Sequence, residues 1–202
     1  MGDAVIEELR PFLARLHRLL VEIDQIERRK AIERTKAFPP ASEVEIAARE
    51  KSLDFRFPPS YRAFLKLHNG WRNLPGLSFI FGVSGPGYTM AARGLSKNLK
   101  SYEKILRYQG VEHSKALEEK ERTDPDVIYM FHHPVVASDS ERLTMVFDRN
   151  RPTQGGEYQI ASVKSGQLVE ERYRSFMDLL VVILRRAQLT LAELGGNPET
   201  LA

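Results

Sequence analysis

The chain has 202 residues, 42% hydrophobic and 28% charged, with a formal net charge of +3; this composition suits one globular domain, or a domain with an extension, and excludes a disordered chain. It contains no cysteine, which excludes a disulfide framework, a cysteine nucleophile and thiolate metal sites. The charge is mild and dispersed, whereas a nucleic-acid footprint needs basic residues clustered with aromatics, so no nucleic-acid partner is expected.

The first segment has helical period. Val5, Leu9, Phe12, Leu16, Leu19, Ile23 and Ile26 form a heptad seam, and Leu13 and Leu20 widen it. Pro11 predicts a helix start or a kink near residue 10. Such a seam must be covered, either by the rest of the chain or by a partner or second copy. The first residues carry charge from Asp3 onward and lack the apolar core of a secretory leader. The longest apolar run, Leu179 to Leu184, is far short of a membrane span. A soluble, cytoplasmic protein without a membrane partner is the expectation. The basic run from Arg28 to Lys36 reads as a solvated helix end.

Ala37-Phe38-Pro39-Pro40-Ala41 predicts a stiff linker. It divides the chain into a helical extension over 1–36, a domain over 37–194 and a tail over 195–202. Ser42 and Glu45 form a capping box that opens a helix running to about Ser52. Pro58-Pro59 opens a second helix with Tyr61, Phe64 and Leu65 on one face, stopped at Asn69-Gly70. Leu77 to Phe81 reads as a strand, and the glycine-rich 82–87 as a loop. Asn98 to Tyr108 has helical spacing, and the polar Glu112 to Asp126 reads as a solvated helix end and loop. Strands follow at Pro134–Ala137 and Leu143–Phe147 around Asp139-Ser140. Two more, Glu157–Val163 and Gln167–Tyr173, are joined by Lys164-Ser165-Gly166. Ser175 caps a last helix whose stripe runs from Phe176 to Leu191, before Gly195-Gly196. Consecutive hairpins with helices grouped at the ends predict an α+β fold: a largely antiparallel sheet flanked by helices, with an N-terminal helical extension.

The stretch from Glu50 to Gly70 resembles the motif of the SUKH superfamily, which includes bacterial toxin-immunity proteins and a fungal cell-wall-assembly regulator. Glu50, Leu53, the Pro58-Pro59 pair, Tyr61, Phe64-Leu65 and Asn69-Gly70 carry the likeness, and Ser175-Phe176 resembles the family's closing helix start. The likeness covers about residues 40–190 and says nothing of the N-terminal helix. Phe55-Arg56-Phe57 departs from the usual small polar turn, and 109–126 reads as an insertion. The resemblance implies a non-catalytic protein-binding module that neutralises a toxin domain by stoichiometric binding. The alternative is an intracellular scaffold or regulator that binds a host protein through the N-terminal seam, where self-association would also occur. Immunity proteins against nucleases tend to be acidic, so the slightly basic balance here argues against a nuclease target.

Ile46, Glu50 and Leu53 share one helical face, and a carboxylate there needs a donor. The free amides near Ser60 and Tyr61 are the nearest, so Glu50 is expected to cap the second helix. Pro58, Tyr61, Phe64, Asn69 and Gly70 read as frame. Partner contacts are expected on loops at the open end of the sheet: Trp71, Arg72, Asn73, Tyr88, His132 and Asp139, since Trp and Arg are enriched at binding hot spots. No cofactor or metal is expected. His132-His133 with Asp124, Asp126 and Asp139 matches no ligand spacing. Gly82, Gly85 and Gly87 fit neither a phosphate loop nor a dinucleotide fingerprint. Glu50 and His68 could form an acid–base pair, but nothing supplies a nucleophile or oxyanion hole, and Ser84, Ser138 and Ser140 lack an elbow motif.

Overall fold

A computed structural model describes residues 2–93, 111–139, 143–164 and 168–197. The helices are α1 (Gly2–Ile26), α2 (Glu43–Leu53), α3 (Pro59–Leu67), α4 (85–93), α5 (Val111–Thr123) and α6 (Phe176–Glu193). The strands are β1 (Lys36–Ala37), β2 (Trp71–Leu74), β3 (Leu77–Ile80), β4 (Val135–Ser138), β5 (Leu143–Pro152), β6 (Tyr158–Lys164) and β7 (Leu168–Tyr173). They form one antiparallel sheet in chain order, β1 to β7. The fold is therefore α+β.

Side chains alternate across the sheet. Met145 and Phe147 of β5 face α1, α3 and α6, while Val146 between them packs with Ile128, Ala161 and Val163 on the opposite face. Near β3 that second face carries Phe81 and Ala91, with Phe79 against them. The main core holds Tyr61, Phe64 and Phe176, with ring centroids 5.0–6.1 Å apart. Tyr61 Oη donates to the Phe81 carbonyl at 2.7 Å, and burial pushes its phenol pKa well up, so it stays a proton donor.

α1 runs unbroken through Pro11. It packs on α3 and α6, burying Leu9, Leu13, Leu16, Leu19, Leu20 and Ile23, while Val5 and Phe12 are half-buried and Ile26 is exposed. The wide stripe, not the strict heptad seam, faces inward, as the presence of Leu13 and Leu20 suggested. The seam is covered by its own chain.

The capping box is present: Ser42 Oγ accepts from Glu45 N, and Glu45 Oε2 accepts from Ser42 N at 2.8 Å. Ser175 accepts from Asp178 N and opens α6. Four expectations gave way. The linker before α2 contributes β1, and Trp71-Arg72-Asn73, expected in a loop, begins β2. The glycine-rich segment continues into α4 from residue 85, and the polar 111–123 is wholly helical as α5. The helix expected at 98–108 and the turns at Ser140 and Ser165-Gly166 lie outside the described residues. Among the described residues no helix is long and apolar enough to cross a membrane.

Candidate functional site

The motif residues converge on two joints. At the first, Glu50 reaches from α2 across the Phe55-Arg56-Phe57 turn. Its Oε1 accepts from Phe57 N at 2.7 Å, and its Oε2 pairs with Arg62 Nη1 at 2.5 Å. Arg62 also binds Glu43. Glu50 therefore holds the turn that leads into α3 and the first cation on that helix, rather than the α3 amides themselves. The carboxylate at the α3 N-terminus is Glu157, which accepts from Ser60 N at 2.8 Å and Ser60 Oγ at 2.6 Å. Pro58 and Pro59 explain why that end needs help. Both lack an N–H, and Pro58, the N-cap, has no side-chain acceptor. We expect Glu157→Ala to cost about 1 kcal/mol. Glu50→Ala should cost more, about 1–3 kcal/mol, since it leaves a partly buried amide without its acceptor. Urea denaturation of both variants tests this; an unchanged midpoint for Glu50→Ala would refute the structural role.

The second joint is Asn69-Gly70. α3 ends at Leu67 with His68 as an extended C-cap, and Gly70 takes φ +95° for the tight turn that follows. Asn69 Oδ1 accepts from Val83 N at 2.7 Å, and its Nδ2 donates to Ser84 Oγ at 2.8 Å. Ser84 Oγ donates onward to Glu45 Oε1 at 2.6 Å, so the chain of bonds ends at the α2 capping box. The glycines of 82–87 make room for this contact: a Cβ on Gly87 would lie 2.0 Å from Asn69 O, and one on Gly82 2.3 Å from it. Those glycines serve close approach of backbone to backbone. The hydrogen bonds to Ser84 and Ser42 hold the Glu45 carboxyl down to about 2.

The residues expected to meet a partner separate into several places. Trp71 is fully buried. Its indole packs edge-on between His17 of α1 (5.8 Å) and His68 (5.2 Å). Its Nε1–H donates to Thr35 Oγ1 at 2.8 Å, and Thr35 N donates to the buried Asp24 carboxylate at 2.6 Å. A side chain with no exposed surface cannot anchor a partner on this conformation; Trp71 instead ties α1 and β1 to α3. Tyr88 on α4 lies under the Arg49 guanidinium, 4.6 Å from the ring centre. His132 is half-exposed, 3.7 Å from Glu118 and from Glu121 on α5, while the buried His133 Nε2 lies 2.6 Å from Glu121 Oε1. Although burial opposes it, the hydrogen bond from His133 lowers the Glu121 pKa. Among the described residues no group of three or more His, Cys, Asp or Glu is placed to hold a metal ion.

Asn73 and Asp139 do come together. With Arg29, Ile32, Glu33 and the β2–β3 turn they line an open groove of about 610 Å³. Asn73 takes φ +56° and donates to the Glu33 and Arg34 carbonyls at 2.8 and 3.0 Å, so it holds the 28–35 loop against β2. Asp139 Oδ1 accepts from Leu143 N at 2.8 Å. Arg72, half-buried, sits next to the groove with its side chain on the sheet face opposite Trp71. No local signal in the sequence marked Arg29, Ile32 or Glu33 as neighbours of Asn73, because the contact spans about forty residues.

His68 gives the Trp71 joint a pH response. Burial, then the charge of His17, pulls its pKa below the ordinary histidine value of 6.5, against a hydrogen bond with the Phe38 backbone. A depressed histidine is neutral in the folded state where the unfolded chain would bind a proton. Its contribution is whole above the unfolded pKa and declines as pH falls below it. We expect the unfolding midpoint to drop between about pH 7 and pH 5, with a shallower drop in His68→Gln. Equal slopes in both proteins would remove His68 as the cause.

The model of the SMI1 / KNR4 family (SUKH-1) matches residues 40–181. That span begins ahead of α2, takes in both joints and the sheet from β2 onward, and ends within α6; α1 lies outside it. No curated protein matches the chain.

Proposed function

The chain belongs to the SMI1 / KNR4 family (SUKH-1), and from that membership we propose that it is a protein-binding module that works by stoichiometric association, not by bond-making, in the manner of a toxin-immunity protein. The supporting observation is where the polar groups of the motif end. Glu50, Ser60, Asn69 and Ser84 spend their hydrogen bonds on the chain's own backbone and side chains, and Tyr61 and Phe64 lie in the aromatic core. The motif is a frame. Beside this frame, at the ends of β2 and β4, Asn73 and Asp139 line an open groove, with Arg72 next to Asn73.

Such a module needs a preformed surface of roughly 800 Å² per partner with a few dominant side chains. The alternative, a scaffold that recruits a host protein through the N-terminal seam, has less to work with, because Leu9, Leu13, Leu16, Leu19, Leu20 and Ile23 of α1 are buried in their own domain and, of its large apolar side chains among the described residues, only Val21 and Ile26 stand exposed. The deciding experiment is affinity capture from the native host with identification of the bound chain, followed by co-expression with that chain if it is toxic. A stoichiometric complex and rescue of growth support the reading. Turnover of a small molecule by the purified protein, with no stable complex, would overturn it.

A further inference from the structure

The loop and strand beside the groove carry more positive charge than the described acids pair, although Lys36 lies over the Phe38 ring at 5.7 Å and Arg34 Nε donates to the Arg29 carbonyl at 3.3 Å. Arg28, Arg29, Lys30, Arg34 and Lys36 stand against Glu33 alone within nine residues. Among the described residues only Arg29 of these cations has acid partners, Asp24 and Glu27. Arg28, Lys30, Arg34 and Lys36 are exposed. Pairing of β1 with β2 then sets Lys36 directly opposite Arg72. Like charges in register across two strands destabilise a sheet. Arg72 has no acid partner among the described residues, and its Nε is buried without an acceptor there. Lys36 over the Phe38 ring does not offset the like-charge pairing or give the Arg72 Nε an acceptor, and a local cost of this kind is the pattern expected where stability is given up for recognition.

We propose that this edge is the docking surface for an acidic segment of a protein partner, with Lys36 and Arg72 as its central contacts and the adjoining groove as the seat for the segment's apolar side chains. The inference rests on the reading of the chain as a protein-binding module and names the chemistry of what it binds. A polypeptide suits the site better than a nucleic acid. Glu33 and Asp139 line the groove and disfavour any anion inside it, which a polypeptide that sets its acids over Lys36 and Arg72 and its apolar side chains in the groove avoids and a uniformly charged phosphate chain does not. The loop offers no aromatic ring for a base to stack on. It does offer Ile32, 74% exposed at the groove, a side chain suited to apolar contact.

The test uses the full chain, a short fluorescein-labelled peptide of Glu, Asp and Leu, and a single-stranded oligodeoxynucleotide of equal charge as competitor class. Lys36→Glu replaces the repulsive cross-strand pair by an attractive one. It should lower peptide affinity about tenfold or more while raising the melting temperature by about 1–3 °C. Arg34→Glu, in the exposed loop, should also weaken binding without touching the sheet. Peptide affinity should fall as salt is raised. Absence of peptide binding, equal binding by wild type and Lys36→Glu, or an oligodeoxynucleotide that binds as tightly through the same residues would each overturn the proposal. The two readings fail separately. A host partner captured equally by wild type and Lys36→Glu removes the acidic-partner inference alone, whereas a wild type that captures no partner removes the module reading.

Discussion

Deleting residues 1–36 is expected to leave a chain that does not fold. The deletion removes Leu9, Leu13, Leu16, Leu19, Leu20 and Ile23, each at most 2% exposed, and strips their cover from α3 and α6. Burying one such side chain contributes about 1.5–3 kcal/mol. The set therefore amounts to on the order of 10 kcal/mol, comparable with the whole stability of a typical domain at about 5–15 kcal/mol. The exposed faces of α3 and α6 would then form the kind of contiguous apolar patch that drives aggregation. Near-UV circular dichroism and a urea titration of the truncated chain check this. A soluble fragment with a cooperative transition at the wild-type midpoint would show that α1 is an appendage and restore it as a candidate partner-binding arm. A single Leu16→Ala substitution, expected to cost about 2–5 kcal/mol, grades the same effect in a protein that still folds.

The second large effect falls on Trp71. Trp71→Ala empties a fully buried site between α1, β1 and the end of α3, and should cost about 3–5 kcal/mol. The loss should appear in stability before any loss of binding, the reverse of what an interface anchor would do. Trp71→Phe keeps most of the packing but removes the donor to Thr35 Oγ1, and should cost about 1 kcal/mol. Because Trp71 is the only tryptophan, its fluorescence reports the joint directly in the wild type. The emission should be blue-shifted and protected from acrylamide, and should become exposed only in the main unfolding transition. Ready quenching in the native protein would contradict the burial.

The two variants probe one construction. Asp24 near the end of α1 holds Thr35, Thr35 holds the Trp71 indole, and Trp71 packs against His68 beyond α3. This chain of contacts connects the helix outside the family match to the motif inside it. It is the physical reason that the 28–36 loop has a defined position, and with it the basic edge formed by Lys36 and Arg72. If the joint is loosened, by substitution or by protonation of His68, that edge loses its support, so stability at the joint and affinity at the edge should decline together.

How much of this could be read beforehand divides by distance along the chain. The capping box of α2, the Ser175 cap of α6 and the wide stripe of α1 depend on residues three, four or seven positions apart. Geometry at that range is dictated by the helix itself, so those features were legible. The strands from β3 to β7 were also legible, because β-branched and aromatic runs between turn residues have few other fates. Two-residue β1 was not, since a strand that short has no period and exists only by pairing with β2. Glu157 was missed as the cap of α3 for a similar reason: it lies ninety-seven residues from Ser60, and nothing local distinguishes it from other surface acids. Trp71 looked like a loop residue because its neighbours Arg72 and Asn73 are polar. Strand alternation sends Arg72 to the opposite face and leaves the indole inside.

The α+β class, most helices and strands, the Ser42 and Ser175 caps and the family motif were written in the sequence, because each rests on short-range spacing of apolar and hydrogen-bonding side chains; the partners of Glu50 and Asn69 were not. Long-range packing alone places α1 in the core, buries Trp71 as a tie between α1, β1 and α3, and brings Lys36 opposite Arg72 beside a groove. Those outcomes depend on which distant surfaces exclude water from one another, and a linear pattern carries each surface without recording its mate.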